Sequence, residues 1–463
     1  MTPSGGVGMI VREGGVWMMR GHQVARVALL AALIVAVFWR GGVSHGAVGL
    51  MLACTVVAWL GTLAVRPHRP VPAQFGWLYV ALGAYTTLQT LPLPRSLIEV
   101  LHPRAVHLHD AGRLVLGLEP ASSMPIALAS GDAAMQATVY LVCGIGAVLW
   151  ATNLMQRGGR HECLDLKYIV IWMIAISGLA WLFGYWDSAT RRLPADVVEF
   201  SQLISFRNSN HQAGAMNVGL ALAFATGIRQ PQVGMISLQY LATFCGFVCL
   251  LTGSRGGIIS AAFVVFFVLA FRPTPTEARR PERSRELEKI QRIVLSSLSA
   301  VIVVAMIAMP VLEREFGIAD GTSNDISKLR VLTRAPELLQ QGWLFGQAPG
   351  TLPVVAGMEI SYGRLRLDFL ENIVADRLVS GGLWGGLTFL LALAWFTGRM
   401  AIRRTWGASF PSWLALSALL LQNLVDFSME IAGGLALFLI SATLAERLQP
   451  HRKADGEEAL ALQ

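Results

Sequence analysis

Charge is what this sequence has least of. Asp, Glu, Lys and Arg make up 14% of its 463 residues, against about 25% in soluble domains. Hydrophobic residues make up 54%, and mean hydropathy is +0.54. That shortage excludes an ordinary soluble domain and leaves a polytopic membrane protein. Ten-residue segments of strict apolar and polar alternation are also missing, which excludes a transmembrane barrel. Helices remain, because lipid satisfies no backbone group. Cysteines number five. Cys54, Cys143, Cys245 and Cys249 fall in apolar runs and Cys163 in a polar linker, giving neither a disulfide framework nor zinc-ligand spacing. No internal repeat of the kind common in transporters is visible.

What is present is a series of apolar runs long enough for a hydrocarbon core of about 30 Å. Windows of about 19 residues place spans near 24–39, 46–65, 74–91, 135–153, 168–186, 211–228, 232–251, 256–271, 293–312, 378–397, 412–426 and 431–447. The expected fold class is an all-α integral membrane protein with about 12 transmembrane helices and a large periplasmic loop between spans 9 and 10. Arg12, Arg20 and Arg26 mark the head of the first run. A second run follows within about ten residues, so the first reads as an uncleaved span.

The net charge of +8 and pI near 9.6 do not point to nucleic acid, because the cations lie mainly in short linkers. The linkers 66–69, 157–167, 272–292 and 399–404 are basic, and in this topology all fall on one side, the cytoplasm. Both termini, 1–23 and 448–463, join that side of the 24–447 membrane domain. The loops 92–134, 187–210 and 313–376 face outward. In the first of these, Pro92, Pro94 and Pro103 punctuate short helical stretches lying on the membrane face. Its His102, His107 and His109 lack the carboxylate-histidine set of a recognised metal site and read as part of a wet interfacial helix.

Four polar islands share the outer side. In SFRNSNHQAG (205–214), Asn210 is an expected N-cap, and Arg207, Asn208 and His211 cluster at a helix start that favours anions. LTGSRGG (251–257) joins two spans with almost no linker, so Arg255 sits at the membrane boundary, either as a snorkelling turn residue or bound to something anionic. The third island carries Arg330, Arg334 and the GWLFGQAPG turn; guanidinium forks suit phosphate oxygens, although each arginine also fits as a plain helix-face charge. In NLVDFSME (423–430), Asp426 and Glu430 are four apart and share a face if the helix continues, either snorkelling outward or serving as acids. Glu371 follows Asp368 by three residues ahead of a helical pattern. It fits a capping role, a general base, or both.

In this order the islands resemble those of the O-antigen ligase and polymerase superfamily of bacterial inner-membrane glycan-assembly enzymes, over about 74–444. FRNSNHQAG is similar to the family's Asn-x-Asn-His-x-Ala element and LTGSRGG to its Thr-x-Ser-Arg-Gly turn; LRVLTRAPELLQQGWLFGQAPGTL and NLVDFSMEI continue the likeness. The resemblance implies a glycosyl transfer outside the membrane, with no metal or other cofactor. The donor is an undecaprenyl-diphosphate-linked oligosaccharide and the acceptor a glycan or lipid hydroxyl, with membrane lipids and other polysaccharide-assembly proteins as partners. It places arginines at Arg207 and Arg255 on the diphosphate. Where family ligases carry His-Asn or His-Ser ahead of a Gly-Leu-x-Gly, this chain has Glu371-Asn372 and then Gly381, Gly382, Leu383, Trp384 and Gly385. That departure tilts the expectation from a lipid A core ligase to a polymerase of O-antigen or exopolysaccharide repeats. A ligase, a polytopic transporter or flippase, and an inactive family member are the alternatives.

Overall fold

The computed structural model describes residues 7–63, 73–154, 159–190, 193–206, 208–229, 234–270, 335–351, 372–403, 409–424, 426 and 428–448. They form α1 (Val7–Phe38), α2 (His45–Leu63), α3 (Gln74–Thr90), β1 (Leu93–Pro94), α4 (Arg95–Leu101), α5 (Pro103–Val115), β2 (Ser123–Met124) and α6 (Ser130–Asn153). There follow α7 (Gly159–Thr190), α8 (Ala195–Leu203), α9 (Ser209–Arg229), α10 (Gly234–Leu251), α11 (Arg255–Ala270), α12 (Ala335–Gln341), α13 (Ile373–Arg403), α14 (Phe410–Gln422), a 3-10 turn at Ser428–Glu430, and α15 (Ala432–Arg447). The two short strands pair antiparallel, Leu93 with Met124. Among the described residues the regular structure is therefore helical apart from this clip.

Five stretches among the described residues are long and apolar enough to cross a membrane: Gly21–Phe38, His45–Leu63, Ser130–Asn153, His161–Asp187 and Ile373–Trp395. Helices also occupy six more of the twelve expected spans, but these are shorter or less apolar. The ninth span, 293–312, the basic loop 272–292 and most of the outer loop 313–376 lie outside the described residues.

The helices turn apolar side chains outward, as a lipid-facing bundle does. On α2, Ala47, Val48, Met51, Thr55, Ala58 and Thr62 are buried, while Leu52, Val56, Trp59, Leu60 and Leu63 are exposed. The inward stripe is the smaller and more polar one, which lets neighbours approach and leaves the bulky face for lipid. Helix α3 lies along α6 by the same logic: a Cβ on Gly144 would come within 2.8 Å of the Gly76 carbonyl oxygen. At the centre runs α9, buried all round from position 211 to 227, packed by α7, α10, α11 and α14.

Polar contacts collect at the two ends of α6. At its C-terminal end, Asn153 Nδ2 donates to Thr62 Oγ1 at 2.9 Å, His22 Nδ1 lies 2.6 Å from Asn153 Oδ1, and Arg26 pairs with Glu162 at 2.6 Å. Between Tyr140 and Thr152, α6 buries Val142, Cys143, Gly144, Ala147, Leu149, Trp150 and Ala151. All five cysteines are free thiols. Cys163, expected in a polar linker, is buried within α7, because that helix begins at Gly159 and buries one face of the basic stretch.

Three expected boundaries shift. The first helix begins at Val7 rather than near 24. Span 412–426 ends at Gln422, and the chain reaches Glu430 through a 3-10 turn. Consequently Asp426 and Glu430 do not share a helical face. The span expected at 378–397 is broken at Gly382, where φ 61° and ψ −158° define a conformation open essentially to glycine alone. The break lets the GWLFGQAPG turn dock: Gln347 N donates to Val379 O (2.8 Å), Ala348 N to Ser380 O (3.0 Å) and Leu383 N to Trp343 O (2.7 Å). From α3, Tyr85 Oη and Gln89 Nε2 both donate to Phe345 O, at 2.9 and 2.6 Å. A Cβ on Gly382 would lie 2.4 Å from Gly346 N and 2.7 Å from Leu344 O. Gly382→Ala is therefore expected to destabilise the protein by at least about 1–3 kcal/mol, seen as a lowered thermal unfolding midpoint in detergent; an unchanged midpoint would contradict the docked geometry.

Candidate functional site

Three of the four polar islands meet around the end of α14. Its last residue, Gln422, donates from Nε2 to the Asn210 carbonyl oxygen (2.7 Å) and to Asp426 Oδ2 (3.2 Å), and its Oε1 accepts from Asn217 Nδ2 (3.1 Å). Asn217, on α9, also donates to the Gly257 carbonyl oxygen at 2.9 Å and accepts from Cys249 Sγ at 3.5 Å. One amide pair thus ties FRNSNHQAG, LTGSRGG and NLVDFSME together. The next residue, Asn423, organises its own turn: Nδ2 donates to Ser428 Oγ (3.0 Å), Oδ1 accepts from Met429 N (2.9 Å), and its carbonyl accepts from Ile373 N (2.8 Å).

Each island is shaped by local capping. In the first, Asn208 rather than Asn210 caps α9: its Oδ1 accepts from Asn210 N at 2.8 Å and its carbonyl from Gln212 N at 3.0 Å. Helix α9 begins one residue after Asn208, so the side chain two positions ahead of Asn210 N has the capping reach. His211 and Gln212 are buried, and Gln212 Oε1 accepts from Phe206 N (3.1 Å). In the second, Gly253 takes φ +68° and Ser254 Oγ accepts from Gly257 N (3.1 Å), the N-cap of α11. Arg255 is thereby set as the first residue of that helix, with an exposed side chain. Arg207, Arg330, Arg334 and Glu371 lie outside the described residues.

Asn372 caps α13. Its Oδ1 accepts from Ala375 N at 3.0 Å and its Nδ2 donates to the Leu424 carbonyl at 2.7 Å, joining the start of α13 to the end of α14.

The acidic pair departs from the snorkelling reading. Asp426 and Glu430 are 1% and 2% exposed, so neither snorkels to an interface. Glu430 Oε1 pairs with Arg377 Nη2 at 2.6 Å, and its Oε2 accepts from Tyr140 Oη at 2.5 Å and from Gln136 Nε2 at 3.3 Å. Gln136 Nε2 also donates to the Glu430 carbonyl at 2.7 Å. Arg377 Nη1 donates to Tyr140 Oη, and its guanidinium lies 4.6 Å from the Tyr140 ring centre, 5.7 Å from Phe389 and 5.9 Å from Tyr79. A buried carboxylate is tolerable only with such partners. Asn217, Gln422, Gln136, Tyr140 and Arg377 were not singled out as site residues from sequence. Arg377 carries the one usable signal, a guanidinium immediately before a predicted span.

Two of the three outer-loop histidines take structural places, and His107 is exposed. His102, expected on a wet surface, is 1% exposed; it precedes Pro103 as the N-cap of α5, with Nδ1 accepting from Ala105 N (3.1 Å) and Nε2 3.1 Å from Gln347 Oε1. Packing against the docked GWLFGQAPG turn excludes water from it. Burial pushes its pKa below the ordinary histidine value, assisted by Arg104 and opposed by its hydrogen bonds. His109, near the Pro125 carbonyl at 3.1 Å, is lowered by burial too. Arg95 holds Asp110 at 2.5 Å and keeps that carboxyl below its usual range. No group of three His, Cys, Asp or Glu among the described residues is placed to hold a metal ion.

No protein-family model, curated protein or solved structure matches the chain.

Two outcomes follow from this geometry. Asn217→Ala and Gln422→Ala should each cost about 1–3 kcal/mol by leaving buried partners unmade. Together they should fall short of additivity by about 0.5–3 kcal/mol, measured as a double-mutant cycle by denaturant titration in detergent. Strict additivity would mean that the two amides do not share a network. With the folded pKa values of His102 and His109 lowered, the unfolded chain binds more protons, so the stability they contribute is complete above pH about 6.5 and is lost as pH falls below it. The unfolding midpoint should drop on acidification from pH 7.5 to 5, and less steeply in His102→Asn, which keeps an N-cap acceptor.

Proposed function

We propose that the protein is a glycosyltransferase of cell-surface polysaccharide assembly, acting at the periplasmic face of a bacterial inner membrane on undecaprenyl-diphosphate-linked glycan repeats. The observation that carries this reading is the convergence of three polar islands, far apart in sequence, on Gln422 and Asn217. The resemblance to the O-antigen ligase and polymerase superfamily gives the convergence its chemistry. In the proposed topology the chain crosses the membrane twelve times with both termini cytoplasmic, and the loops 92–134, 187–210 and 313–376 face outward.

The proposed reaction uses arginines of three islands together. Arg255 stands exposed at the head of α11, and with Arg207, Arg330 and Arg334 it holds the donor diphosphate. An acceptor hydroxyl attacks the anomeric carbon; the new glycosidic C–O bond forms as the bond to the diphosphate oxygen breaks. The lipid diphosphate departs with the bonding electrons, and the guanidiniums stabilise its growing charge. The hydroxyl proton passes to Glu371, next to the α13 cap at Asn372. Neighbouring cations keep a glutamate ionised but weaken it as a base, so it serves best when the leaving group is good. A diphosphate is such a leaving group.

The polymerase reading is favoured over the ligase because Glu371 stands where family ligases carry histidine. A site at one face, rather than a transport path, is supported by the apolar stretch of α6 between its two polar ends.

The deciding experiment is transfer by purified protein in lipid nanodiscs, given an undecaprenyl-diphosphate-linked repeat. Wild-type protein should extend it into a ladder when a second lipid-linked repeat is the acceptor. Arg255→Ala and Glu371→Gln should each slow extension by about 10²–10⁴-fold. Extension that needs a lipid A core acceptor would make the protein a ligase. No transfer to either acceptor would overturn the enzyme reading.

A further inference from the structure

Helix α13 consists of two parts hinged at Gly382. Its first part, residues 373–381, follows its cap Asn372, the residue after Glu371. The glycine break interrupts the helix, and although the two parts touch where Gly386 packs on Leu378, contacts with other elements hold the angle of the first part. At its start, Ile373 N and Asn372 Nδ2 bond the Asn423 and Leu424 carbonyls. At its end, the Val379 and Ser380 carbonyls accept from the docked turn. In the middle, Arg377 reaches Glu430.

That middle contact is unlike the other two. Side-chain exposures of 3% and 1% make it a fully desolvated ion pair, and such pairs are often no more stabilising than apolar residues of the same volume. Burial therefore gives little reason for a charge pair here if holding the fold is its only task. What it supplies is direction: Glu430 is fixed by Tyr140 and Gln136 from α6, and Arg377 is walled by the Tyr79, Tyr140 and Phe389 rings. Glu430 closes the Ser428–Glu430 turn, whose Ser428 and Met429 are bonded by Asn423, beside Gln422. The pair therefore joins the segment behind Glu371 to the turn that borders the donor-side network.

We infer that Arg377 and Glu430 are a positioning pair, which sets the angle of residues 372–381 against the donor-side network and so governs the rate of transfer rather than the stability of the fold. The inference rests on the glycosyl-transfer reading for its effect on rate. A displacement of about 1 Å at a reacting group can cost about a hundredfold in rate, whereas substrate binding to other residues is left intact.

The test uses the full-length protein in nanodiscs. Arg377→Met alone strands a buried carboxylate and should lower the unfolding midpoint. Adding Glu430→Leu removes the stranded charge and should return the midpoint to the wild-type value or above it. In that double variant kcat for chain extension should fall by about a hundredfold with KM little changed, the mark of an effect confined to the transition state. Wild-type kcat in a stable double variant would overturn the inference, and so would recovery of kcat in step with the midpoint. A second readout does not depend on activity: Asn372→Cys and Leu424→Cys, cross-linked by an oxidant, should bridge more slowly in the Arg377→Met/Glu430→Leu background. If wild-type protein transfers no glycan, the glycosyl-transfer reading fails, and the bridging rate alone decides the positioning role. Equal bridging rates would then overturn it.

Discussion

Gln422 shows the constraint under which this bundle is built. A primary amide in a lipid-embedded core has nowhere to send its hydrogen bonds except to other protein groups, and Gln422 reaches Asn210, Asn217 and Asp426. Two of these partners lie on α9 and the third after α14. Satisfying one side chain therefore brings the beginning of α9, its third turn and the segment after α14 to one place. Asn217 repeats the operation with the Gly257 carbonyl at the beginning of α11. Burial of polar groups acts here less as a source of net stability than as a condition that only one arrangement of helices meets.

The same condition accounts for the irregular backbone between the helices. Where a helix starts, its free amides need acceptors, and polar side chains supply them: Asn208 for α9, Ser254 for α11, Asn372 for α13 and Asn423 for the Ser428–Glu430 turn. Residues that bind a ligand in the proposed reaction thus stand beside residues that cap. Arg255 shows the arrangement most plainly, because Ser254 uses its hydroxyl on the helix and leaves the next side chain to point outward. The break at Gly382 works in the opposite sense. It frees the Val379 and Ser380 carbonyls from continuous helix and offers them to the GWLFGQAPG turn, which α3 and His102 hold from the other side.

Charge is handled by separation. Arg26 with Glu162 and Arg377 with Glu430 lie toward opposite ends of α6, with apolar packing between them. A bundle arranged in this way can keep an acidic and a basic group deep in one half without opening a continuous polar route, and that fits the proposed reaction at one membrane face.

Much of the architecture could be read from residue order because its causes are local. Run length and apolar periodicity locate helices, proline and glycine punctuate them, and the helical segments α2, α3, α6, α9, α10 and α11 stand close to where the apolar runs put them. The polar islands are legible for the same reason, since a cluster such as FRNSNHQAG contrasts with the run beside it. What the residue order leaves open is partnership. Asn217 and Gln422 lie 205 residues apart inside stretches that read simply as helix, and neither carries a local sign of the other. Glu430 was visible as an acid near a span end, but whether it faces solvent, lipid or Arg377 depends on how α6, α13 and α15 pack. Composition and periodicity decided that this chain is a helical membrane protein, because those properties act through the solvent each residue prefers. Only the tertiary structure decided which buried polar groups meet, because hydrogen bonds and ion pairs require atoms within about 3–4 Å, a distance that sequence separation does not encode.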